Sequence, residues 1–525
     1  MNYPQSLDRK ALLLSALFIV LIVMITGGMA IYVMSDQVIS DALAMTAAAF
    51  SIDELYREEV DWQKLIVSGR RAMFERLDRY SAYVEKEEFQ NLDEELEGSY
   101  TGIGVSIVFH EEGLMIMSVR EDGPASEVGL LSGDIIVAVD SVSLRDLEIE
   151  QSIRLLRGQE GTTVRLEIWR TPTEELFEVE VTRRRIPFMH IPFAGFTPDN
   201  IIYIRLLDFD AGATDDLRAA IDSLVGKDSV TPRGLILDLR GNPGGLFREG
   251  YRTADLFLTD GVFLVGTDGR SRWKDRQHYA TGDDIISGLP IACIVNRGTA
   301  SSAEIVSGAL QAAGRAYLVG DTTFGKGLVQ GFVRFPGGDG LRLTISRYYF
   351  EGPVYLNDFD STLNDTGHGL VPDYYYDVNR MNPARRELEN SLLLREFANK
   401  YQDEIILAAD SDTTLSVITT RFVSYARENG FAFTSGRTVA AEEMKALALS
   451  ENCRPTTAEL LQKIIELSHD EDSDVLNREK QYIRDRLLQI AYERKFGIYQ
   501  SYRQVLLHSR PEIQYASKIL LENSR

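Results

Sequence analysis

Two short apolar runs, Gly234-Leu-Ile-Leu-Asp-Leu239 and Pro290-Ile-Ala-Cys-Ile-Val295, each stop at a glycine corner, Arg240-Gly-Asn-Pro-Gly-Gly245 and Arg297-Gly298. A brief apolar run bounded by turn residues reads as a strand buried on both faces. A helical pattern follows each corner, over Phe247 to Leu258 and again up to about Gly314, and a third strand, Ala316 to Val319, leads into a further loop. Strand, corner and helix recurring from Ile201 to about Asp377 define an α/β core. In such a core the chemistry gathers in loops beyond the strand ends.

Two of those loops carry reactive side chains. Asn296-Arg-Gly-Thr-Ala-Ser-Ser-Ala-Glu304 enters a helix at Ser301, and Thr323-Phe-Gly-Lys-Gly-Leu-Val-Gln330 presents Lys326 between glycines. A serine hydroxyl needs a base within hydrogen-bond reach to act as a nucleophile. Lysine serves only when neutral, so its pKa of about 10.4 has to be drawn down by desolvation. Phe324, Leu328 and Val329 suit that, and Gln330 can hold the amine without adding a carboxylate that would raise its pKa. An oxyanion could be met by the N–H of Ser302 at the helix start, with a second donor brought close by Gly244 or Gly245. Each key residue also has a plainer reading. Ser301-x-x-Glu304 is a capping-box pattern, which would make Ser301 a helix cap. Gly320 to Gly327 has P-loop spacing, but Gly327 stands where a hydroxyl would have to ligate Mg²⁺.

Ahead of the core, Gly98 to about Ile186 is a glycine-punctuated block of short strands. Gly102-Ile-Gly-Val105, then Gly123-Pro-Ala-Ser-Glu-Val-Gly129 leading into Ser132-Gly-Asp-Ile-Ile-Val-Ala-Val-Asp140, then Arg157-Gly158 followed by Gly161-Thr-Thr-Val-Arg-Leu-Glu-Ile168, together resemble a mainly-β PDZ domain. Gly102, Ile103, Gly104 and Val105 would form a nest of N–H groups for a peptide carboxylate, with the strand from Val105 to Val108 pairing with the peptide.

Taken together, the serine loop, the Gly-Lys-Gly-x-Val-Gln loop, the Asp-Leu-Arg-x-Asn-x-Gly-Gly segment and the PDZ block resemble the carboxy-terminal processing, or tail-specific, proteases. The resemblance covers roughly Leu77 to Asp373 and includes Gly367-His-Gly-Leu-Val-Pro-Asp373. It implies a crotonase-like α/β protease core with an inserted PDZ domain. It also implies Ser301 as nucleophile, Lys326 as base 25 positions on, and Gln330 as the residue orienting the lysine. The chain departs from the pattern at Thr299 and Ala303, where serines are common, at Ala312, where several relatives carry an aspartate, and at Arg79, where proline is usual. No histidine stands in a triad motif, and His368 reads as structural.

Residues 11–35 carry no charge and follow Arg9 and Lys10, which predicts a transmembrane helix over 11–35, within an anchor segment 1–36 whose short N-terminus stays in the cytoplasm, and places the rest outside the cytoplasm. A cleaved signal peptide, with Gly28-Met-Ala30 as the processing site, is the competing reading. The expectation is thus a single-pass inner-membrane protein with its catalytic part on the periplasmic side. A helical region over 37–97, the PDZ domain over 98–186 and the protease core over 187–382 follow. Last comes a helical domain over 383–525, a candidate surface for a homo-oligomer or an adaptor protein. A net charge of -23 excludes a phosphate-binding surface and so nucleic acid. Cys293 and Cys453 match no metal spacing, and no cofactor motif is found. The predicted activity is a serine endopeptidase acting through an acyl-enzyme on proteins captured by their C-terminal tails. A non-catalytic PDZ scaffold and a nucleotide-binding Lys326 loop are the alternatives.

Overall fold

The computed structural model describes residues 37–523 apart from 121, 171–172, 227–229, 271–275, 353, 357–367, 378–381 and 452. The chain divides into two compact units at Leu77. In the first, helices Gln37–Leu55 and Trp62–Phe74 are described, the second capped by Asp61, whose side chain accepts from Lys64 N–H at 3.0 Å. The inner-membrane placement expected from the sequence does not stand. Among the described residues no helix is long and apolar enough to cross a membrane, and the expected span, 11–35, lies outside the described residues.

The second unit holds the PDZ block, the core and the C-terminal helices. The core sheet runs in the order Phe193–Phe196, Ile202–Arg205, Leu235–Asp238, Ile291–Val295, Ala316–Gly320, Tyr374–Tyr375. All its pairs are parallel except the first. Both faces are covered, which explains why its strands read as unbroken apolar runs. Ile202, Ile204, Leu235, Leu237, Ile291 and Cys293 belong to one cluster with helices Ala213–Val225 and Ser302–Ala312. Tyr203, Ile236, Ala292, Ile294 and Val319, alternating with them, pack instead against Ile513, Ala516, Ile519 and Leu520.

Those last residues lie on helix Pro511–Asn523, the last helix of the region expected to be helical over 383–525. The C-terminal region is therefore not wholly separate from the core: its final helix is one of the two layers over the core sheet. The remaining helices pack mainly on themselves around Phe397, Phe422, Ile483 and Leu487. A second difference lies before the PDZ block. Ala82–Val84, expected to be helical, is a strand paired antiparallel with Gly340–Arg342 of a second core sheet.

Strands Val105–His110, Gly113–Val119, Asp134–Val139, Thr163–Arg170 and Glu175–Thr182 form the PDZ sheet, with Val105–His110 at its edge. Helix Ile149–Leu156 borders that edge strand across a groove of about 300 Å³ lined by Gly102, Ile103, Gly104, Val105, Ile153 and Leu156.

Candidate active site

Three loops beyond the core strands are tied into one assembly. Asn296 Oδ1 accepts from Gly241 N–H at 2.8 Å and Gly298 N–H at 3.0 Å, Thr299 Oγ donates to Leu239 O at 2.8 Å, and Ala300 N–H donates to Asn242 O at 2.9 Å. Phe324 N–H donates to Thr299 O at 2.9 Å, which brings in the lysine loop. Ser301 sits at the junction with φ 54° and ψ −119°. A non-glycine residue holds such a conformation only where its surroundings over-determine it. The surroundings do so here: Ser301 N–H donates to Glu304 Oε2 at 2.9 Å, and the buried Tyr348 hydroxyl donates to Ser301 O at 3.3 Å. The capping-box bond is real, and Ser301 does begin the helix. Its strained backbone is more than a cap requires.

Lys326 Nζ donates to Gln330 Oε1 at 3.1 Å, and Gln330 Nε2 donates in turn to the carbonyl of Tyr80 at 2.7 Å. A bulge between Val329 and Gln330 in the pairing of Leu328–Arg334 with Gly340–Phe350 re-aims the glutamine. Burial first, and the Arg342 guanidinium second, hold the Lys326 amine below the usual lysine range, while Glu304 pulls the other way. Arg342 is itself fixed by donating to Tyr80 O at 3.1 Å. Sequence reasoning missed Tyr80, because a backbone carbonyl has no side-chain signature. It saw Glu304 only as a cap partner.

Of the glycines proposed for the oxyanion, Gly244 donates its N–H to Asn242 Oδ1 at 2.9 Å. Its φ of 98° and the 2.6 Å that a Cβ would leave to Ser301 Cβ mark it as a place where only glycine fits. Gly245, with φ 151°, has no room for a Cβ either, since Phe209 backbone would lie 2.5 Å away. Ser302 lies in the first turn of the helix and anchors it to this loop, its Oγ donating to Gly245 O at 3.1 Å and Leu246 O at 3.0 Å.

Three other candidate nucleophiles and bases are engaged elsewhere. Cys293 is buried in the sheet, which pushes its thiol up to about 12. His190 has both ring nitrogens facing acids, Nδ1 at 2.5 Å from Asp208 and Nε2 at 3.9 Å from Asp216. His368, in the family-like segment, ties its backbone N–H to Leu356 O at 2.9 Å.

In the PDZ groove, the carbonyls of Ile103 and Gly104 accept from Ala125 N–H at 2.9 Å and Arg120 N–H at 3.0 Å. In a trans peptide the next N–H points the opposite way, so the N–H groups of Gly104 and Val105 face away from those partners.

A strained serine at a strand-to-helix turn and a desolvated lysine held by an amide lie in the core, and a separate PDZ-like groove precedes it in the chain; a peptidase is the class of protein these features suit. Residues 200–358 match peptidase family S41, and residues 115–170 match the PDZ domain. The carboxy-terminal-processing protease of Bartonella bacilliformis is 30% identical over 321 residues, 61% of this chain and 73% of that protein. The carboxy-terminal processing protease CtpA of Bacillus subtilis is 31% identical over 294 residues, 56% of this chain and 62% of that one. Carboxyl-terminal-processing peptidase 2 of Arabidopsis thaliana chloroplasts is 33% identical over 310 residues, 57% of each. Among solved structures, a photosystem II D1 C-terminal processing protease aligns over 62% of this chain and 86% of its own at 27% identity, with a TM-score of 0.37. The chain belongs to the carboxy-terminal processing proteases of peptidase family S41, and it is a serine-type peptidase.

Proposed function

We propose that this peptidase captures the C-terminal tail of a protein in its PDZ groove and cleaves the chain through an acyl-enzyme formed on Ser301, with neutral Lys326 as general base. The observation that carries the reading is the Ser301 backbone, φ 54° and ψ −119°, because a strained strand-to-helix turn exposes a nucleophilic serine Oγ. On this reading, Lys326 Nζ takes the Ser301 proton as Oγ attacks the scissile carbonyl. The oxyanion is met by N–H groups of Ser302 and Gly245, while Gly244, its own N–H spent on Asn242, provides close approach. The ammonium returns its proton to the leaving amine, and water then releases the acyl group with Lys326 again as base. Gln330 orients the amine without adding charge. The core is read as crotonase-like on the resemblance of its motifs.

Two expected results test the reading. First, kcat/KM rises with pH along a limb governed by loss of the Lys326 proton. Burial and Arg342 disfavour the ammonium, so the midpoint falls below the ordinary lysine value of about 10.4. A pH-independent kcat/KM across that range would rule out lysine as base. Second, a substrate with a free apolar C-terminus is cleaved with at least about tenfold higher kcat/KM than its C-terminal amide, because the amide lacks the charge that N–H donors in the groove would meet. Equal rates for the two would remove the tail-capture step.

A further inference from the structure

We infer that Glu304 is a positioning residue for peptide cleavage, its single carboxylate holding the nucleophile loop and the base loop in register; the inference rests on the Ser301–Lys326 reading above.

Glu304 is fully buried. Its Oε2 accepts from Ser301 N–H at 2.9 Å and from Lys326 N–H at 3.0 Å, so the backbone nitrogens of the two proposed catalytic residues meet at one oxygen. Its Oε1 accepts from Thr323 Oγ at 2.6 Å and Gly325 N–H at 2.6 Å. The Tyr348 hydroxyl lies 3.5 Å from Oε2 and also bonds Ser301 O. A capping box asks of the Glu304 side chain only the bond to Ser301 N–H. The three bonds to the lysine loop lie outside that role, and they connect segments that no covalent path shorter than a full helix and strand joins.

Ser301, Lys326, Thr323 and Gly325 all donate, which calls for an ionised carboxylate. Burial pushes the Glu304 carboxyl above its ordinary value, and the donors pull it only part of the way back. A buried carboxylate stripped of those donors would be costly, so its bonds and its charge stand together. Its charge acts on the neighbouring amine as well, favouring the Lys326 ammonium against burial and Arg342. Glu304 therefore has two separable effects. It fixes geometry, and it sets how readily the lysine gives up its proton.

The Glu304→Gln variant separates them. An amide has one acceptor oxygen and turns an NH₂ toward N–H donors, so the two loops lose register. We expect kcat to fall about 10²-fold, the scale of loss from misplacing a reacting group, with KM within about threefold. The ascending limb of kcat/KM moves to lower pH, because the charge that favoured the ammonium is gone. Glu304→Asp, which keeps the charge on a shorter arm, returns the limb to its wild-type position. Unchanged kcat, or a loss with an unmoved limb, would overturn the inference. Should Glu304→Gln not fold, Thr323→Val removes the donor to Oε1 and is expected to lower kcat about tenfold at constant KM, with Thr323→Ser restoring it; wild-type kcat in Thr323→Val overturns the inference. Ser301→Ala and Lys326→Ala controls separate the two levels. Activity in either sinks the underlying reading, whereas dead controls beside a normal Glu304 series sink only this inference.

Discussion

Replacing Ser301 or Lys326 by alanine is expected to cut kcat/KM by about 10⁴-fold or more, some 5.5 kcal/mol of transition-state stabilisation. The residual rate would come from the oxyanion donors and from substrate binding, which neither substitution touches. The double variant is expected to be no slower than either single one, because a nucleophile and its base act as one unit. Neither substitution should unfold the chain. Alanine tolerates position 301 no better than serine does, but the conformation is held by backbone bonds to Glu304 and Tyr348, which survive the change. Lys326 likewise keeps its N–H bond to Glu304 when its amine is removed. Cleavage of a peptide with an apolar C-terminus, with circular dichroism as the folding control, gives the comparison. Appreciable turnover by either variant, or a double variant slower by the product of the two effects, would exclude a serine–lysine unit.

Much of this site is legible in the sequence because its parts are local. Ser301 stands at a helix start, Lys326 stands between glycines, and a strand buried on both faces announces itself as an apolar run ending at a turn. Gln330 lies only four residues beyond the lysine it holds. What escapes is whatever depends on an approach between distant segments. Glu304 is written as a cap partner, and nothing in its neighbourhood says that the same oxygens receive Thr323, Gly325 and Lys326. Tyr80 acts through its carbonyl, which every residue possesses. Ala82–Val84 is three residues long, too short for a period, and becomes a strand only because Gly340–Arg342 offers its edge. Ile513, Ala516, Ile519 and Leu520 do recur at helical spacing, yet an amphipathic stripe says only that something covers it. That the cover is the core sheet follows from packing alone.

Removal of the final helix, Pro511–Asn523, should for that reason destroy the enzyme rather than merely alter its assembly. Ile513, Ile519 and Leu520 are each almost fully buried against the sheet face of Tyr203, Ile236, Ala292 and Ile294. At about 1.5–3 kcal/mol apiece, those three side chains account for about 5–9 kcal/mol, against a total stability of about 5–15 kcal/mol for a typical domain. The sheet residues they cover would be exposed as well. The loss extends to the site. Glu512 pairs with Arg240, and Arg240 donates through Nε and Nη2 to Asp238 at 2.9 and 2.6 Å, where Arg205 and Tyr203 converge at 3.3 and 2.7 Å. That buried cluster ends the strand leading into Gly244 and Gly245, so the last helix braces the corner that supports Ser301. The truncated chain is expected to be insoluble or to lose its cooperative thermal transition. The milder Leu520→Ala, which opens a cavity beside Gly234, is expected to cost about 2–5 kcal/mol in denaturant unfolding. A soluble, cooperatively folding and active truncated enzyme would show that the helix is an appendage and that the sheet does not depend on it.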